Sequence, residues 1–217
     1  MGVRTILSPC SLQAWESIAG GKSADVKRRL EEAWFGAKAI APEEKKPDQT
    51  LIASLVDLGE LYEELDDETA LRMDKMVMMV FERELGAQPL PVSLMRDDVQ
   101  RLLSELRAAG SEAALTSLLD HVANGRRFGA SEKPIDVPHY GYLTAAECRV
   151  LSQGASSLVA AGRPKGFLGK LLGGAPKLSA ASLGLLESLG AQVGAVAESG
   201  RDLFTVNRDP DARWDMA

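Results

Sequence analysis

The chain is short of the residues from which most recognisable active sites are built. Its 217 residues include two cysteines, Cys10 and Cys148, and two histidines, His121 and His139. Two distant cysteines make neither a disulfide framework nor a zinc site. They favour a reducing compartment, so the expected location is the cytoplasm. Aromatics are 5% of the residues. No apolar run reaches the roughly eighteen residues of a membrane span. The opening MGVRTILSPCSLQAW lacks the long apolar core of a secretory leader. Motifs of the G-x-S-x-G, H-E-x-x-H and C-x-x-C kinds are missing. No cofactor or metal is expected.

Positive charge is missing from one long stretch. No Lys or Arg lies between Lys46 and Arg72, whereas Asp48, Asp57, Glu60, Glu63, Glu64, Asp66, Asp67 and Glu68 do. Those acids outnumber the chain's whole net charge of −6. Nucleic-acid binding wants a basic stripe, so it is not expected. A basic protein partner suits this balance.

What is present reads as helix. Apolar residues make up 45% of the chain and charged residues 26%, with Leu and Ala prominent. A short strand is expected near Val3 to Leu7. Ser11 caps a helix over 12–19, and Ser23 caps the next. Residues 39–47 read as a proline-bounded linker. Leu51, Leu55, Leu58, Tyr62 and Leu65 step by four and three, which predicts a helix over 49–65 with those residues as its buried seam. Asp57, Glu60, Glu63 and Glu64 then face solvent. Asp66 or Asp67 caps a helix over 68–85 whose belt of Met73, Met76, Val77, Val80 and Phe81 reads as core. Helices follow over 94–109, from Ser111 to Ala123, over 145–161 and over 180–199. Asp202 to Asn207 reads as a closing strand. One α-rich domain over 1–207 and a tail over 208–217 are expected.

The stretch VPHYGYLTAAECRVL at 137–151 is the densest in chemistry-bearing side chains. Thr144-Ala145-Ala146-Glu147 is a capping box, and Leu143 and Cys148 stand at the two positions of a hydrophobic staple. Cys148 therefore reads as packing, with no base to activate it. GGKS at 20–23 is not a phosphate loop, because Glu16 occupies the place of the first glycine. RRFG at 126–129 reads as a solvated loop.

The segment GYLTAAE at Gly141–Glu147, followed by a helix, a capped last helix and a terminal DLFTVN, resembles the C-terminal part of the YfbM-like bacterial proteins. The resemblance covers residues 137–207. It implies an α+β fold in which the first and last strands meet, and no reaction. The expected architecture is thus predominantly helical α+β, with about seven helices and short terminal strands paired in a small sheet.

Two surfaces remain as candidates. One is the acidic face of Asp57, Glu60, Glu63 and Glu64, extended by Asp67. The other is RPKGFLGKLLGGAPKL at 163–178, where Phe167, Leu168, Leu171 and Leu172 alternate with glycines between basic residues. Such a loop suits a protein partner or a membrane surface. The expected function is a non-enzymatic interaction protein, in its most concrete form an immunity-type inhibitor of a basic toxin or effector. The alternative is an enzyme or small-ligand binder with a pocket near His139, Tyr140 and Tyr142.

Overall fold

A computed structural model of the chain describes residues 3–36, 40–59, 67–90, 94–126, 139–162 and 178–208. Of Asp67, Ala70, His139 and Arg208 only the backbone is described. Four strands form one antiparallel sheet: β1 (Arg4–Cys10), β2 (Leu94–Met95), β3 (His139–Leu143) and β4 (Asp202–Arg208), in the order β2-β1-β4-β3. The first and last long strands pair along their whole length, with Ile6 opposite Val206 and Cys10 opposite Asp202. The expected predominantly helical α+β fold is thus observed. It has eight helices among the described residues, where about seven were expected.

Alternation along the strands separates two cores. Ile6, Cys10, Tyr140, Phe204 and Val206 enter one, and Leu7, Leu94, Leu143 and Leu203 enter the other. The first core is completed by α1 (Leu12–Ile18), α2 (Ala24–Phe35), α3 (Pro42–Ala53) and α4 (Asp67–Met79). The second is completed by α5 (Arg96–Ala108), α6 (Ala113–Asn124), α7 (Ala145–Gly162) and α8 (Ala180–Glu198). The sheet is therefore a middle layer with helices on both faces.

Helix starts follow local chemistry. The hydroxyls of Ser11, Ser23 and Ser179 each accept an amide from the first turn of their helix. At α7 the Glu147 carboxylate accepts the Thr144 amide at 2.8 Å, and the Thr144 hydroxyl accepts the Glu147 amide at 3.2 Å. The capping box is formed as read, and Leu143 and Cys148 are both fully buried beside it. A further cap was not anticipated. Asp202, at the start of β4, accepts the amide of Leu12 at 3.0 Å and that of Ala145 at 2.9 Å. One carboxylate thus serves the first turns of α1 and α7, one on each side of the sheet.

Three expectations are corrected. Residues 42–47 are not linker but the first turns of α3, with Pro42 at the position where its missing amide costs nothing. The helix then ends at Gly59 rather than near 65. Its last turn, Ser54–Leu58, is π-helical, and Gly59 closes it with a φ of 68°. The wider i to i+5 step changes the phase of the seam. Ser54, Leu55 and Val56 are buried in succession, whereas Leu58, expected inside, is 54% exposed. Tyr62 and Leu65 lie outside the described residues. The third correction concerns His139, read as the end of a loop over 125–139 but observed as the first residue of β3. Its middle residue, Gly141, lies so close to α6 that a Cβ would stand 2.8 Å from the His121 carbonyl oxygen.

The Met-rich helix behaves as expected. Met73, Met76, Val77, Val80 and Phe81 are buried to within 1% exposure, and Met78 and Met79 nearly so. It too ends in a π-helical turn, Val80–Glu84.

Candidate functional site

The acidic stretch begins on α3. Asp48 accepts the Trp34 indole N–H at 2.9 Å and the Arg72 guanidinium at 3.2 Å, so it ties α2 and α4 to α3. Arg72 also bonds Glu68 one turn earlier on its own helix. Asp57, expected to face solvent, is half-buried and paired with Lys27 of α2 at 2.9 Å. This is a correction: the π turn carries Asp57 toward α2. Lys27 and Arg72 are thus matched to Asp57, Asp48 and Glu68.

Glu60, Glu63 and Glu64 lie outside the described residues. Asp67 opens α4. The segment 60–67 contains five acids, Glu60, Glu63, Glu64, Asp66 and Asp67, and no base. Gly59, the last described residue before it, is a left-handed glycine held against the turn at 20–22. The amides of Gly20 and Lys22 donate to the carbonyls of Leu55 and Val56 at 3.1 and 3.0 Å. The GGK turn therefore fastens the end of the π turn, and Lys22 adopts a φ of 56° to do so.

The tyrosines of β3 are committed to the fold. Tyr140 is 3% exposed and donates its hydroxyl to the buried carboxylate of Asp74 at 2.6 Å. Its ring belongs to a stack running through Phe204 and Phe81 to Trp15, with Phe81 and Phe204 centroids 3.8 Å apart. Tyr142 is covered by the Arg126 guanidinium, 4.4 Å from the ring centroid. Arg126 in turn grips both oxygens of Glu147 at 2.8 and 3.0 Å. His139 is the first residue of β3, paired through its backbone with Asn207. Arg126, read as part of a solvated loop, is a structural residue. The remaining loop residues, 127–129, lie outside the described residues.

Titration follows these contacts. Burial pushes the Glu147 carboxyl up, but the Thr144 amide and the Arg126 guanidinium outweigh it and hold the group below its ordinary value. Burial, then the charge of Arg126, lowers His121. Burial and the nearby Asp202 carboxylate push both thiols, Cys10 and Cys148, up to about 12. Such thiols are not nucleophiles near neutral pH. Among the described residues no three His, Cys, Asp or Glu side chains gather as metal ligands do.

Phe167, Leu168, Leu171 and Leu172 lie outside the described residues. The helices on either side of them, α7 and α8, leave between them a groove of about 340 Å³ lined by Ser152, Ser156, Ala160, Glu187, Gly190 and Ala191, among others. Sequence reading passed over it, because a groove made by small residues leaves no motif. Among the described residues α8 alone is long and apolar enough to cross a membrane by length and composition. Its alanines and glycines build that character without a run of large apolar residues.

Compared with protein-family models, with curated proteins and with solved structures, the chain finds no match in any of the three.

Proposed function

We propose that this is a cytoplasmic, non-enzymatic protein that binds a basic protein partner through the carboxylates of 60–67. The observation that carries this reading is the local imbalance of charge. Five acids stand in eight residues with no base among them, and Arg72, the next basic residue along the chain, is already paired with Asp48 and Glu68. Like charges this close repel one another, and a cationic surface relieves the repulsion. It also speeds association. An immunity-type inhibitor of a basic toxin or effector is the most concrete form of this function. The resemblance of residues 137–207 to the YfbM-like proteins belongs to the same proposal.

Asp57 is not part of the recognition set, because its carboxylate is matched by Lys27 inside the fold. The informative variant is Glu60→Lys, Glu63→Lys, Glu64→Lys. It should fold as the parent does, by circular dichroism and thermal melting. It should also lose the basic proteins that the parent retains from its source cytoplasm. Equal recovery by parent and variant would sink the proposal.

A further inference from the structure

We draw no further inference here: the strongest candidate, the titratable cluster of His121, Arg126, Tyr142 and Glu147 where α6, β3 and α7 meet, has Arg126 bound to Glu147 and stacked on Tyr142 within the fold, so that only the lowering of the His121 pKa by burial points to a switch, and that carries nothing by itself.

Discussion

Leu203 and Phe204 are neighbours in β4 and belong to different cores. On the Leu203 side the core is aliphatic, and among the described residues it holds no aromatic side chain. It is surrounded by α5 to α8, which keep regular α geometry to their ends. On the Phe204 side four rings stack across the sheet, methionines fill the space around them, and two helices finish in π turns. Small branched side chains pack within the four-residue hydrogen-bond ladder. Each π turn inserts an extra residue into that ladder, and one of them, Val80–Glu84, carries Phe81 of the stack. Ion pairs between elements occur on both sides: Lys27–Asp57, Arg29–Glu84 and Arg72–Asp48 on the aromatic side, Arg107–Asp120 and Arg126–Glu147 on the aliphatic side.

The sharpest way to break this contrast is to truncate the two neighbours separately. Phe204→Ala should cost about 3–5 kcal/mol, because it removes the middle of the ring stack and leaves a cavity against Phe81 and Tyr140. Leu203→Ala should cost less, on the order of 2–4 kcal/mol, since small neighbours close over the space more readily. Urea denaturation of both variants measures the difference. Equal losses would mean that the stack adds nothing beyond buried area.

Asp202 joins the two sides, and its removal should be felt on both. Asp202→Ala strips an amide partner from α1 and another from α7, for a loss of about 2 kcal/mol by denaturant midpoint. Hydrogen exchange should rise at Leu12 and Ala145 together. A rise at one alone would show that the carboxylate serves a single helix.

On the aliphatic side the capping box offers a smaller effect. Thr144→Ala should cost about 1 kcal/mol. The same box lowers the Glu147 pKa, and the sign of the linkage follows. A carboxyl depressed in the fold contributes stability that is complete above its ordinary value of 4.5 and is lost as pH falls through the folded value. The stability difference between Thr144→Ala and the parent should therefore shrink on acidification. A difference that stays constant down to pH 2 would show that the Thr144 hydroxyl does not stabilise the Glu147 carboxylate, whose amide and Arg126 partners the variant keeps.

The smallest expected effect lies on the aromatic side, at the turn that fastens the π helix. Lys22→Gly relieves a left-handed backbone at an exposed position and should stabilise by up to about 1 kcal/mol. A loss of stability would show that the Lys22 side chain contributes more than the conformation costs.

These contrasts also explain which parts of the molecule could be read from sequence. The serine caps, the Thr144 box and the Leu143–Cys148 staple are local, so four residues suffice to identify them. The two terminal strands were legible as short runs at Val3–Leu7 and Asp202–Asn207, whereas the expectation that they meet came from the family resemblance and not from the runs themselves. Regular periodicity placed α5 to α8 closely. It failed at Leu58, because the π turn Ser54–Leu58 shifts the phase of the seam and leaves that side chain exposed. It failed at β3, because Gly141 interrupts the apolar pattern of a five-residue strand whose role is set by contact with α6. The acidic site was legible as composition, but not as geometry. Nothing in the sequence around Asp57 announces Lys27, thirty residues earlier, as its partner.

The proposed function rests on the carboxylates of 60–67, and the most direct measurement is the rate at which the captured basic partner associates with the protein as salt is raised. Electrostatic recognition predicts a wild-type rate that falls steeply with ionic strength. For Glu60→Lys, Glu63→Lys, Glu64→Lys it predicts a low rate with little salt dependence. Equal rates for the two proteins at low salt would contradict it.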